Sequence, residues 1–143
     1  MMKKSFRTML GVTLLEIMLV LAIAAMVVVM SIRYYQSATT NQKVASTLNN
    51  ITAIVAAGEN YLSSQGTYEK IGPADVTPYM PGNKMPSSGW GGEMGVENGS
   101  ANGYDITVPS VPTGACKQLA ALIKQNGKVT MDASCTKATV TAN

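Results

Sequence analysis

The feature that most constrains this chain is an unbroken apolar run near its N-terminus. Residues 12 to 32 read VTLLEIMLVLAIAAMVVVMSI, and Glu16 is the only charged residue among them. At a rise of about 1.5 Å per residue, a helix of this length spans about 30 Å, which is the thickness of a bilayer's hydrocarbon core. We therefore expect the run to form a transmembrane helix instead of the core of a soluble domain.

Basic residues before the run predict its orientation. Lys3, Lys4 and Arg7 precede it, whereas Arg33 is the one cation that follows closely. Because Lys and Arg are enriched on the cytoplasmic side of membrane helices, the N-terminus should stay in the cytoplasm and the rest should be exported. A cleaved secretory signal is the alternative. The length of the run, and the lack of a clear small-x-small cleavage site after it, favour a retained span.

Composition argues against several function classes. The chain has no histidine, which removes Ser-His and Cys-His nucleophile pairs, so we expect it not to be an enzyme and to need no cofactor. Without residues 1–11, eight Lys and Arg balance eight Asp and Glu, so a nucleic-acid partner is not indicated. The spacing of Asp75, Glu93, Glu97 and Asp105 fits no calcium-binding pattern, so no metal site is expected.

Glu16 needs an explanation, because a carboxylate within an apolar span costs a few kcal/mol unless it is hydrated, protonated or paired. In one interpretation, Glu16 lies close enough to the lipid head groups to keep its water. In the other, cleavage of the Gly11–Val12 bond creates a new α-amino group, and Glu16 pairs with such an amine when helices pack together.

The segment GVTLLE, from Gly11 to Glu16, resembles the processing motif of type IV prepilins and related pseudopilins. The basic leader and the uninterrupted apolar run complete the resemblance. It implies that residues 1–11 are a leader peptide and that a membrane aspartyl peptidase, the prepilin peptidase, cuts after Gly11. It also implies that the same enzyme N-methylates Val12, and that Glu16 guides the docking of subunits.

The resemblance also implies partners and a location. Before assembly, the subunit would lie in lipid in a bacterial inner membrane, with its N-terminus cytoplasmic and its head periplasmic. The inner-membrane assembly machinery would then lift it into an extracellular pilus, a helical homo-oligomer. Residues 12–32 would be the transmembrane and assembly helix.

The helical pattern continues beyond the span as an amphipathic helix over residues 33–64. Its predicted buried face has apolar residues and one glycine at alternating spacings of four and three. These residues are Val44, Leu48, Ile51, Val55, Gly58 and Leu62. Core packing explains this stripe better than a coiled coil, because it lasts fewer than three heptads.

Residues 65–143 are predicted to form a small globular head. A proline- and glycine-rich loop follows Gly66, and then four short strands and one helix are expected. The strands are Glu93–Val96 and Tyr104–Val108, joined by ENGSANG as a hairpin connection, and then Lys128–Asp132 and Ala138–Ala142. Thr113 is the expected N-cap of the helix, and Gly127 is its expected stop. The predicted fold class is α+β, with a long helix packed against a small antiparallel sheet.

Cys116 and Cys135 are the only two cysteines. On the exported side they are expected to form a disulfide, which would support a head with little core. Two free buried thiols or half of a metal site are the alternatives. The cysteine-containing stretch YDITVPSVPTGACKQLAALI and the helix segment LNNITAIVAAGENYLSSQGTY resemble type IVb pilins, in which two such cysteines close the last part of the head.

The sequence thus predicts a structural subunit of a type IV pilus, most like the IVb branch. A type II secretion pseudopilin is one alternative, since it shares the motif from Gly11 to Glu16. A minor tip pilin that binds DNA or a surface receptor is another. The sequence leaves open whether the filament serves cell adhesion, motility, conjugation or DNA uptake.

Overall fold

The computed structural model describes Gly11 and residues 13–142. The described chain forms three α-helices, four β-strands and two short 3-10 turns. In chain order these are α1 (Leu14–Gln65), α2 (Pro73–Val76), the turns Thr77–Tyr79 and Pro81–Asn83, β1 (Gly95–Ser100), β2 (Gly103–Thr107), α3 (Thr113–Lys124), β3 (Val129–Met131) and β4 (Lys137–Thr141). The chain divides into two compact units, residues 1–37, called the N-terminal unit below, and residues 38–143, called the head.

The four strands of the head form one antiparallel sheet in the order β1-β2-β4-β3. Alternate residues point into the core, as expected of a sheet with one buried face. Tyr104 and Ile106 of β2 and Ala138 and Val140 of β4 are buried. They share one hydrophobic cluster with the part of α1 that belongs to the head. The predicted α+β fold, a long N-terminal helix with a small antiparallel sheet, is confirmed.

The buried face of α1 is rotated relative to the predicted stripe. Leu48, Val55 and Leu62 are only half-buried, whereas Val44, Ile51 and Gly58 are buried as expected. The full set of buried residues on α1 is Val44, Thr47, Ile51, Ile54, Ala57, Gly58 and Tyr61.

Thr47 accounts for part of this rotation. Its hydroxyl donates to the Lys43 carbonyl oxygen at 2.9 Å and accepts the backbone N–H of Gly89, also at 2.9 Å. A hydroxyl with both bonds made can be buried at little cost. A pattern that counts only apolar residues cannot assign such a position to the core.

The hairpin between β1 and β2 differs from the prediction. The segment ENGSANG was expected to connect the strands, but β1 continues to Ser100 and the turn is confined to Ala101 and Asn102. The pairing is irregular between Glu97 and Ser100, where Asn98 adopts a left-handed φ of 53°. Asparagine tolerates this conformation better than most residues, so here it marks a bulge inside the strand and not the turn itself.

Helix α3 also begins differently from the expectation. Thr113 is its first helical residue, and Pro112 occupies the N-cap position, with no side-chain capping bond. The Pro112 carbonyl oxygen accepts the backbone N–H groups of Ala115 and Cys116. Gly127, with a φ of 69°, lies just beyond the helix end, at the position predicted for a stop.

Tyr104 links the sheet to α1. Its hydroxyl donates to the backbone carbonyl oxygen of Ile54 at 3.4 Å, and its ring lies 5.0 Å from that of Tyr68. Burial raises the pKa of Tyr104 far above its ordinary value, so the phenol stays protonated and able to donate. A Cβ atom at Gly58 would overlap the Tyr104 hydroxyl, so only glycine fits this point of close approach.

We predict that Gly58→Ala destabilises the head by about 1–3 kcal/mol, as overpacking of a core usually does. The gain in helix propensity from alanine, about 1 kcal/mol, offsets only part of this cost. Urea unfolding of the full chain in detergent, followed by the fluorescence of the single Trp90, measures the effect. Gly114→Ala in α3 is the matched control, because nothing lies within 4 Å of its added Cβ. Equal stability of Gly58→Ala and Gly114→Ala would contradict the packing described here.

Candidate functional site

The start of α1 is organised around Thr13 and Glu16. The Thr13 backbone carbonyl oxygen accepts the N–H groups of Glu16 and Ile17, and its hydroxyl accepts the Glu16 N–H at 3.3 Å. Thr13 is therefore the N-cap of the helix, and Glu16 lies in its first turn. A carboxylate in the first turn is favoured by the helix dipole. This local stabilisation was missed in the sequence, although the T-x-x-E spacing of Thr13 and Glu16 is the signature of a capping box.

The predicted processing site lies at the edge of the described chain. Gly11 is exposed, and Glu16 follows it within the first helical turn, also exposed. Val12 and residues 1–10 lie outside the described residues. The leader, the cut after Gly11 and the N-methylation of Val12 therefore stay predictions.

The apolar part of α1 has no cover of its own. Every described residue of the N-terminal unit is exposed, with Leu14 at 79% and Leu21 at 62% of their full accessible surface. Among the described residues, α1 is the one helix long and apolar enough to cross a membrane by length and composition. An exposed apolar surface of this extent marks a membrane or protein interaction site.

Polar groups follow the apolar segment. Arg33 comes directly after Ile32, and Tyr34 and Tyr35 are 80% and 70% exposed. Tyr is enriched at membrane–water interfaces, because its apolar ring can lie at the level of the head groups while its hydroxyl stays hydrated. Within the span, Ser31 satisfies its hydroxyl by donating to the Val27 carbonyl oxygen at 2.8 Å. The helix can thus cross a bilayer with no unsatisfied serine hydroxyl.

In the head, Cys116 and Cys135 are joined in a disulfide. The bond connects the first turn of α3 to the turn between β3 and β4 and joins two cysteines nineteen positions apart. A loop of this size is worth about 3 kcal/mol in the chain-entropy account of disulfide stabilisation. Both cysteines are buried, and no described cysteine is free.

Asp132 organises the turn that carries Cys135. One of its carboxylate oxygens accepts the backbone N–H groups of Thr136 and Lys137 at 3.0 and 3.2 Å. The other accepts the Ser134 and Thr136 hydroxyls. These bonds, with that from Ser134 the largest cause, hold the pKa of Asp132 below its ordinary value of 3.8. Cys135 itself has a left-handed φ of 55°, so this turn holds the cysteine in an unfavoured conformation.

The described residues do not form a metal site. No group of three or more His, Cys, Asp or Glu side chains is placed to hold an ion within the described part of the chain. Three of the four acidic residues considered from the sequence have other roles. Asp75 accepts the Gly72 N–H at the start of α2, and Asp105 accepts from Asn98 and Thr139 on the sheet. Glu97 forms an exposed ion pair with Lys137.

Two curated proteins are similar to this chain. The chain is similar to the major structural subunit of bundle-forming pilus from Escherichia coli O127:H6 (strain E2348/69 / EPEC), at 29% identity over 123 residues. The same protein of Escherichia coli O111:H- matches equally. The match covers 78% of this chain and 64% of the relative, so the chain spans a little less than two thirds of the curated relatives' length. No protein-family profile and no solved structure matches.

This chain resembles type IV pilins. The curated relative is a type IVb pilin, which is the branch that the sequence predicted. The exposed apolar helix and the disulfide in the head are both features that this resemblance led us to expect. In this pilin-like chain the candidate site has two parts, the N-terminal unit, which must be covered by other molecules, and a disulfide-closed head.

We predict that Asp132→Asn lowers the stability of the head by about 1 kcal/mol at neutral pH, since hydrogen bonds to a charged acceptor are lost at an exposed site. Because the folded-state pKa lies below 3.8, this contribution is present above the unfolded-state pKa and disappears as the pH falls through the folded value. The difference between wild type and variant should therefore shrink on acidification. Unfolding free energies measured between pH 2 and pH 7 test this.

The exposed residue Glu69 provides the control for that titration. Its conversion to Gln should change stability little at any pH, because its side chain accepts no hydrogen bond among the described residues. A constant difference between wild type and Asp132→Asn across the whole range would show that Asp132 stabilises the turn in a charge-independent way.

Proposed function

We propose that this chain is a structural subunit of a type IV pilus filament, made as a prepilin. The observation that carries the proposal is that every residue of the apolar segment from Leu14 to Ile32 is exposed, while Glu16 is its only charged residue. Such a surface needs two environments in turn, lipid before assembly and other protein afterwards. The likeness to the bundle-forming pilus subunits supports the same conclusion.

Lipid and copies of the same helix suit this surface for the same physical reason. Burying a Leu, Ile, Val or Met side chain is worth about 1.5–3 kcal/mol relative to water, whichever apolar environment receives it. Transfer from a bilayer into a helical bundle therefore changes the apolar free energy little. The direction of transfer would then be set by polar contacts, by packing between helices and by the assembly machinery.

Processing would supply one of those polar contacts. Cleavage after Gly11 by the prepilin peptidase removes residues 1–11 and leaves Val12 as an N-methylated terminus. Its amine is a cation at the end of an apolar helix, and Glu16 is an anion one turn further along. When helices pack, the carboxylate of one subunit can pair with the amine of another. The pair would set the register, while apolar packing would provide most of the stability.

The proposed location follows from the same steps. The subunit would stay in the inner membrane with its head in the periplasm until the machinery lifts it into an extracellular pilus. The disulfide fits the oxidising periplasm, in which Cys116 and Cys135 would be joined before assembly. In this proposal the chain supplies structure and carries out no reaction itself.

We predict that the protein isolated from its host's membranes begins at Val12. Intact mass and N-terminal sequencing should show loss of residues 1–11, one added methyl group and two hydrogens fewer for the Cys116–Cys135 bond. Deletion of the prepilin peptidase gene is the control, and it should restore Met1. An intact Met1 in the presence of the peptidase, or a cut beyond Ile32, would contradict the proposal.

Two alternatives share this processing and need a second measurement. A type II secretion pseudopilin would be processed in the same way but would give no long surface filaments, which electron microscopy of sheared material distinguishes. A DNA-binding tip subunit would be rare in that material and would retain DNA at low salt. A major structural subunit should instead be the principal protein of the filaments.

A further inference from the structure

The N-terminal unit has one anion and one cation among its described residues. These are Glu16 near its start and Arg33 near its end, and no ion-pair partner for either exists within the described chain. In water neither charge needs a partner. In a packed bundle of apolar helices each becomes costly, because an unpaired buried charge loses its hydration without compensation.

Arg33 lies at the end of the apolar run of α1, on the same face as the exposed side chains of Val29 and Met30. Its guanidinium offers several hydrogen-bond donors in a planar fork. A helix that packs beside this end of the run should therefore be mostly apolar and should have a carboxylate at the level of Arg33.

The N-terminal end of this same chain has that composition. Glu16 lies among Leu14, Leu15, Ile17 and Met18, all of them exposed. We propose that the Glu16 segment of a second copy of the chain packs beside Arg33, and that the Glu16 carboxylate pairs with the Arg33 guanidinium there. The inference rests on the proposed filament and names a contact within it.

The spacing along α1 determines when this pair can form. Arg33 follows Glu16 by seventeen residues, which corresponds to about 25 Å along a helix. Two subunits at the same depth in a membrane therefore keep these groups apart. The pair forms only when the subunit that contributes Glu16 has been raised by that distance relative to the subunit that contributes Arg33.

This pair is compatible with the pairing of Glu16 with an N-terminal amine. An amine four residues before Glu16 requires an offset of only about 6 Å, so it would come from a different neighbour. A carboxylate has two oxygens and accepts hydrogen bonds from more than one donor. In a growing filament, Glu16 would meet a near neighbour's amine first and a more distant neighbour's Arg33 later, as the subunit rises.

Substitutions of Arg33 test the pair in the full chain expressed in its host. The fraction of processed protein recovered in sheared filaments is the readout, and the processed pool in the membrane reports insertion. We expect Arg33→Glu to reduce the filament fraction at least about tenfold and Arg33→Gln several-fold, whereas Arg33→Lys should stay within about twofold, since only it keeps the charge. Lys70→Glu, an equal charge change at an exposed head position, is the matched control and should assemble normally.

A filament structure determined by electron cryomicroscopy tests the contact itself. The inference predicts an Arg33 guanidinium nitrogen within about 4 Å of a Glu16 carboxylate oxygen of another copy, at an axial offset between the two subunits of about 25 Å. Filaments in which Arg33 contacts solvent or lipid phosphate, or normal assembly of Arg33→Glu, would overturn this inference alone. Absence of filaments from the wild-type chain would overturn the proposed function, and this contact with it.

Discussion

The apolar surface of the first half of α1 must be covered, and the rest of the account depends on this requirement. From Leu14 to Ile32 the described residues are exposed, and the large side chains alone represent many kcal/mol of unfavourable contact with water. Within the described N-terminal unit these side chains have no cover. In the proposed function, this coverage comes from outside the chain, first from lipid and then from identical helices.

Lipid and packed helices cover apolar groups almost equally well. The few polar groups therefore have a larger influence on which of these two environments is favoured. Glu16 is costly in both environments unless it is satisfied. Its place in the first turn of a helix capped by Thr13 gives it some stabilisation before assembly. Pairing with cations of other copies would make the packed state selective for particular offsets between subunits. A charge pair of this kind contributes mainly to register and only modestly to stability.

Much of the fold could be predicted from the sequence, because its signals are long and local. The apolar run, the helical periodicity from Val44 to Leu62 and the isolated cysteine pair each have one dominant physical cause. The misses have causes that a linear pattern does not contain. Thr47 is buried because Gly89 lies next to it in the folded head, and Asn98 lies in an irregular part of the β1–β2 pairing instead of in the turn. The cap at Thr13 could have been predicted from the T-x-x-E spacing of Thr13 and Glu16. This spacing was missed because both residues lie within the apolar run.

The most direct test of the central claim measures the accessibility of the apolar segment in intact filaments. A cysteine at Leu21 and a reference cysteine at the exposed loop residue Lys84 would be treated with a water-soluble maleimide, before and after denaturation. The account predicts that Leu21→Cys reacts only after denaturation, whereas Lys84→Cys reacts at once. Equal reaction of the two cysteines in intact filaments would show that copies of the helix do not cover one another, and would contradict the account.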